Sequence, residues 1–189
     1  MKQETRKDEI IRTSAVLFKE KGYSAVTVRD IAKSMGIKAA SLYNHISSKQ
    51  EILSNIIITL AEEFTQGMEV IKNKDINTIE KLKNIVDLHV KISTNNTFGM
   101  ASLNNDWMHL EEQRDYYLRL RLDYEDNLRQ IIKQGIEKNE LQNSNVEVML
   151  FSILSTLRSL YMWIADKEDL QHANIATNLS NVLLTGLIK

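Results

Sequence analysis

The stretch Thr27-Val28-Arg29-Asp30-Ile31-Ala32-Lys33-Ser34-Met35-Gly36-Ile37-Lys38-Ala39-Ala40-Ser41-Leu42-Tyr43-Asn44-His45-Ile46 decides how this chain is organised. Its first four residues read as a capping-box start, in which the Thr27 hydroxyl can accept from the third backbone N–H of a short helix running from Thr27 to Met35. Gly36 breaks that helix. After the apolar Ile37 a second short helix is expected from about Lys38 to His45. Two short helices joined by a Gly-containing turn make a helix-turn-helix.

On the N-terminal side, Ile10, Ile11, Ser14, Leu17 and Phe18 recur at helical spacing and predict an amphipathic helix from Thr5 to Lys21, with Gly22 as its stop. On the C-terminal side, Ser47-Ser48-Lys49 reads as the cap of a longer helix reaching Ile71 or Lys72. The polar run from Asn73 to Asn77 is a connector, and Thr78 to Thr94 is the next helix, with Leu82, Ile85, Val86, His89 and Val90 on one side. Asn95 to Gly99 reads as a turn. Helices then follow from Met100 to His109, Glu111 to Lys138, Val146 to Ala165 and Ala173 to Ile188. In the second of these, Leu118, Leu122, Leu128, Ile131, Ile132 and Ile136 carry the apolar stripe.

Composition supports this reading. The 189 residues contain no Pro and only six Gly, so helix breakers are scarce, and no segment alternates apolar and polar residues as a half-buried strand would. The expected fold is all-α: a three-helix head on a larger helical body, about nine helices in total. The division expected is residues 1–48 as head, a linking helix over 48–72, and 49–189 as effector-binding and dimerisation domain. Absence of cysteine excludes a disulfide framework, a thiolate zinc site and a cysteine nucleophile. The charged start MKQETRKDEI lacks the apolar core of a signal peptide, and the expected location is cytoplasmic. Val146 to Ala165 is about long enough to span a bilayer, yet it carries Glu147 and Arg158 and is read as a buried helix in water. No membrane partner is expected.

The net charge of −1 hides an asymmetry. Residues 1–60 sum to +4 and residues 61–189 to −5, which suits a polyanion-binding module on an acidic body.

The pattern Ile11, Ala15, Phe18, Gly22-Tyr23, Thr27 to Ala32, Met35-Gly36-Ile37, Ser41 to Ile46, Ser48-Lys49 and Ile52-Leu53 resembles the DNA-binding domain of the TetR family of bacterial transcriptional regulators. The resemblance covers roughly residues 8–55. It departs where family members more often have Phe and this chain has Ile46, and where they often have Lys-Gly and this chain has Ala39-Ala40. An apolar Ile46 is still expected to fill the small core. A recognition helix in a major groove would present Lys38, Ala39, Ala40, Ser41, Tyr43 and Asn44 near its start, with Asn44 suited to adenine. The resemblance implies phosphate contacts for Thr27, Tyr43, His45 and Lys49, and Lys49 opens a helix whose free N–H groups can share a phosphate with its ammonium.

The family usually dimerises through its last two helices, and these are the most apolar here. Leu150, Leu154, Leu157, Leu179, Val182 and Leu183 are the expected interface of a homodimer on a pseudo-palindromic operator. Phe64, Met68, Trp107, Met108, Tyr117, Tyr161 and Met162 concentrate large flexible and aromatic side chains in the body and could line a cavity for an apolar effector. Asn105 to Leu110, Arg119 to Glu125 and Leu160 to Trp163 are similar to a branch of the family that responds to acyl-coenzyme A thioesters. That resemblance implies cations for the nucleotide, with Arg119, Arg121 and Arg158 as candidates. The expected function is therefore a ligand-responsive regulator, a repressor, with no cofactor, no metal and no enzymatic activity. Two alternatives compete: an all-α di-metal carboxylate/histidine enzyme built on Asp106-x-x-His109 and Asp169-x-x-His172, and a DNA-binding protein without effector.

Overall fold

Nine α-helices, two 3₁₀ turns and no strand make up the described part of the chain, which in this computed structural model is residues 4–164, 167 and 172–188. The helices are α1 (Arg6–Lys21), α2 (Val28–Ser34), α3 (Ala39–Leu42), α4 (Lys49–Lys72), α5 (Thr78–Asn95), α6 (Thr97–Asn105), α7 (Arg114–Glu137), α8 (Val146–Ile164) and α9 (His172–Thr185).

Local chemistry accounts for the boundaries. Thr5 and Thr27 each close a capping box, with Asp8 and Asp30 as the third residues, so α1 and α2 begin where their short-range signals place them. Gly22 and Gly36 have φ of 81° and 66°, the left-handed side that glycine tolerates without strain. At Gly36 the amide donates to the Lys33 carbonyl, and that of Ile37 donates to the Ala32 carbonyl, so the turn of the helix-turn-helix is closed by the backbone. Ser48 caps α4 by accepting from the Glu51 amide, and Glu51 in return accepts from the Ser47 amide and hydroxyl.

Five expectations are corrected. The recognition helix is a single turn, Ala39–Leu42, and Tyr43 to His45 continue it as turns. Asn95 to Gly99 is not a loop: only Asn96 leaves helical geometry, and α6 restarts at Thr97. Trp107–His109 is a 3₁₀ turn, and α7 starts at Arg114 rather than Glu111. The last helix ends at Thr185, and the chain then pairs Ile188 with Leu141 in an isolated antiparallel bridge. Val146–Ile164 is buried on one face only. It is long and apolar enough to cross a membrane, but its inward side, Met149, Leu150, Ile153, Leu154, Leu157, Leu160 and Tyr161, is occupied by packing. Ala165 and Asp169 lie outside the described residues.

Two compact units form, and their membership differs from a cut at residue 48. The head unit comprises the chain to Ala61 together with Phe98–Tyr117; the body unit comprises Glu62–Thr97 and everything from Leu118 onward. The head core holds Ile10, Phe18, Ile31, Leu42, Ile52 and Leu53, with Ile46 buried as expected. In the body, α5 packs against α8 and α9. Its α7 stripe is Tyr124, Leu128, Ile131 and Ile132; Leu122 is exposed, because the face set by those four turns it outward.

Candidate functional site

In the head unit, Leu42 and Ile46 are buried, which forces the residues between and before them to the surface. Lys38, Ala40, Ser41, Tyr43, Asn44 and His45 are exposed and Ala39 is half-buried. Tyr43 leaves 57% of its surface open, far more than a tyrosine retained for packing would. Thr27 is exposed at the start of α2, but its hydroxyl and amide both donate to Asp30, whose carboxyl they hold below its ordinary pKa. A phosphate at that point would meet Thr27 already committed to its cap.

Lys49 has a second task that its sequence position did not show. Its ammonium donates to the carbonyls of Tyr23 (2.9 Å) and Val26 (2.8 Å) and sits 4.1 Å above the Tyr23 ring. An ammonium has three N–H donors, so one is left for a phosphate. Tyr23 in turn stacks on His109, with ring centroids 5.3 Å apart, and Gln50 donates to the His109 carbonyl at 2.7 Å. Sequence reasoning missed this arrangement, since its contacts span 23 to 86 positions along the chain. Asp106 is half-buried, and burial raises its pKa. Both members of the first Asp-x-x-His pair are thus built into head packing. Asp169 of the second lies outside the described residues, as does the side chain of His172. Among the described residues no three His, Cys, Asp or Glu side chains are grouped as metal ligands.

The residues expected to line an effector site are divided between the units. Trp107, Met108 and Tyr117 belong to the head unit, where Trp107 lies against the buried Tyr117, whose hydroxyl donates to the Leu103 carbonyl. Met108 is exposed there. In the body unit, Phe64, Met68 and Tyr161 are buried, whereas Met162 is exposed. Arg121 and Arg158 both bind the carboxylate of Glu125, at 3.3 Å and 2.5 Å. Beside them the structure assembles a group the sequence reading did not single out. His89 Nε2 lies 2.8 Å from the Tyr124 hydroxyl, and Phe64 covers the imidazole with centroids 4.6 Å apart. Burial, with Arg158 nearby, lowers the His89 pKa to about 3, and burial raises that of Tyr124, so both are neutral at physiological pH. The His89 position on the apolar face of α5 was visible in the sequence. Its partner, 35 residues away, was not.

The expected interface residues also separate. Leu150, Leu154 and Leu157 are buried within the chain, since α8 turns them towards its own core; Leu179 and Leu183 are half-buried and Val182 is 78% exposed. The outward stripe of α8 is instead Val148, Phe151, Ser155, Met162 and Trp163, with Phe151 72% exposed. An apolar groove of about 540 Å³ between α8 and α9, lined by Leu160, Trp163, Ile175, Leu179 and Val182 among others, continues this surface.

Comparison with known proteins divides the chain in sequence, and residues 98–117, which join the head unit, fall within the C-terminal match. Residues 10–56 match the family described as bacterial regulatory proteins, tetR family, and residues 75–187 match the tetracyclin repressor-like C-terminal domain. The HTH-type transcriptional repressor KstR2 of Rhodococcus jostii is 22% identical over 185 residues, 96% of this chain and 91% of that protein. The biofilm operon icaADBC HTH-type negative transcriptional regulator IcaR of Staphylococcus aureus is 40% identical, but over 76 residues only, 40% of this chain and 41% of IcaR. The structure of the ketosteroid transcriptional regulator KstR2 of Mycobacterium tuberculosis superimposes with a TM-score of 0.93 at 21% identity, covering 100% of this chain and 97% of that one. AibR, in complex with isovaleryl coenzyme A and operator DNA, superimposes with a TM-score of 0.79 at 21% identity, over 94% of this chain and 97% of AibR.

Proposed function

The chain belongs to the tetR family of bacterial regulatory proteins, DNA-binding regulators of transcription, and on that premise we propose that it is a repressor that binds a pseudo-palindromic operator as a homodimer and leaves it when a small apolar effector, a fatty acyl-CoA, enters its body. One observation carries the DNA half: burial of Leu42 and Ile46 surfaces Lys38, Ala40, Ser41, Tyr43, Asn44 and His45 as one polar face. Lys38, Ala39, Ala40, Ser41 and Asn44 then meet base edges, and Asn44 suits adenine. Tyr43, His45 and the remaining donor of Lys49 meet phosphates, and Thr27 joins them only by giving up a bond to Asp30.

The apolar stripe of Val148, Phe151, Met162, Trp163 and Val182 supports association of two copies through α8 and α9. A two-fold axis then places two recognition helices for two half-sites about one DNA turn apart. Support for an acyl-CoA comes from the family branch that residues 105–110, 119–125 and 160–163 resemble, and from AibR, whose complex contains isovaleryl coenzyme A. Release of DNA is limited to the effector's differential affinity for the two head arrangements. The helix α4 runs unbroken from Lys49 to Lys72, so a displacement at its far end tilts its start. The protein acts on cytoplasmic DNA and has no catalytic role.

Fluorescence anisotropy on the DNA upstream of the protein's own gene, titrated with a long-chain acyl-CoA, tests this reading. Saturable binding reversed by the thioester is expected. Binding that ignores the thioester would leave a DNA-binding protein without this effector, and no binding at any salt concentration would remove the regulator itself.

A further inference from the structure

Two polar atoms in the body interior are unpartnered among the described residues: His89 Nδ1 and Ser93 Oγ. His89 is 4% exposed and Ser93 0%, and they stand four residues apart on α5, hence on one helix face. A buried polar atom without a partner is costly, so two on one face call for a complement.

The neighbouring hydrogen bond says which complement. Tyr124 is buried, and its hydroxyl proton has one partner described, His89 Nε2. A buried phenol must donate its proton, and a neutral imidazole has one donor and one acceptor nitrogen. Nε2 therefore accepts, and the proton sits on Nδ1. The orphan is a donor. It needs an acceptor oxygen, and Ser93 one turn along can donate a second hydrogen bond to the same atom or its neighbour. Phe64 lies against the imidazole, so the part of the ligand next to that oxygen is apolar. A neutral carbonyl oxygen suits the place, since a neutral imidazole N–H and a hydroxyl offer two donors and no charge.

We propose that His89 and Ser93 are the inner anchor of the effector site and hold the carbonyl oxygen of an otherwise apolar ligand, a ketone or a thioester. The inference rests on the reading of the body as the effector-binding part.

The test uses the full-length protein and two matched pairs of probes: octanoyl-CoA against S-octyl-CoA, which lacks only the carbonyl oxygen, and octan-2-one against 2-methyloct-1-ene, which replaces C=O by C=CH₂. Calorimetry gives the affinity ratio within each pair for the wild type and for the double variant His89→Phe/Tyr124→Phe, which removes the donor without stranding the phenol. The ratio is expected to fall about tenfold in the variant for each pair that binds. Equal ratios in variant and wild type overturn the anchor, as does failure of both carbonyl probes to bind the wild type. Should octan-2-one show the loss while octanoyl-CoA neither binds nor releases operator DNA, the anchor stands and the acyl-CoA reading falls. A second measurement needs no variant of uncertain fold: ¹⁵N-histidine labelling of the wild type, with only four histidines to resolve, reports the His89 tautomer. The Nδ1–H form is expected, and the Nε2–H form overturns the proposal.

Discussion

The head and the body unit carry their chemistry in opposite places. The head presents polar side chains on its surface, and the residues that put them there, Leu42 and Ile46, lie within one turn of them in the chain. In the body the groups singled out above are buried or half-buried: His89 meets Tyr124, and Glu125 meets Arg158, across 35 and 33 residues. A surface reader needs only a short framework to aim it, whereas an interior binder needs distant helices to converge. The head is thus open to inference from local motifs, and the body only from contacts.

The sharpest way to break the contrast is at the apolar stripe that α8 turns outward. Phe151→Glu places a charge in the α8 stripe and is expected to give a monomer of 21.8 kDa by light scattering, with operator affinity reduced roughly a hundredfold as two linked half-sites become one. Its lone-head binding to a single half-site should be unchanged. A dimer of ordinary affinity would remove α8 from the interface.

Lys49→Ala tests whether the head is as local as it looks. It deletes hydrogen bonds to two carbonyls and a cation over the Tyr23 ring, an expected loss of about 2 kcal/mol in denaturant unfolding. Binding to every DNA sequence should weaken together, with the salt slope lower by about one unit. Asn44→Ala should leave stability alone and cost about tenfold in discrimination at one base position. Identical behaviour of these two variants would undo the division between phosphate and base contacts.

In the body, Gly67→Ala puts a methyl group 2.6 Å from the Leu88 side chain. Repacking should cost about 1 kcal/mol by thermal melting and alter induction while operator binding persists. Loss of induction and DNA binding together would argue against α4 as the lever.

The smallest effects separate the units by pH. Glu51 in the head is held to about 2 by Lys7 and by the Ser47 amide and hydroxyl; its folded pKa is depressed, so its contribution is present above the ordinary carboxylate range and is lost as pH falls from there towards 2. His89 in the body is depressed to about 3 by burial and by Arg158; the unfolded state takes up its proton first, so stability declines as pH falls below 6.5 and continues to do so down to about 3. In acid titrations of unfolding, Glu51→Gln should flatten the lower window and His89→Phe/Tyr124→Phe the upper one. A wild type whose stability is constant between pH 6.5 and 5 would contradict the neutral buried His89.

How much could be read beforehand follows the same line. The Thr27 capping box, Gly22, Gly36 and the start of α4 each depend on residues at most five apart, and each lies where the sequence predicts it. Errors gathered where a boundary depends on packing. Asn95 to Gly99 has turn composition, yet only Asn96 leaves helical geometry; Leu122 fits the helical period of α7, yet Tyr124, Leu128, Ile131 and Ile132 set its buried face. Among the residues expected to meet DNA, those of the recognition helix lie at the surface, while Lys49 and Thr27 are partly engaged in holding the head together. Among the residues expected at an interface, periodicity alone does not tell which side of a largely apolar helix faces its own core, and Leu150, Leu154 and Leu157 turn out to face it.

Sequence by itself determined that the chain is all-α, that its head is a helix-turn-helix and which side chains that head displays, because capping, glycine conformation and the 3.6-residue period act over one or two turns. Only the tertiary structure decided that residues 98–117 join the head, that α8 turns Phe151 outward, and that His89 meets Tyr124, because each depends on which helices pack together, and packing is set by the whole chain at once.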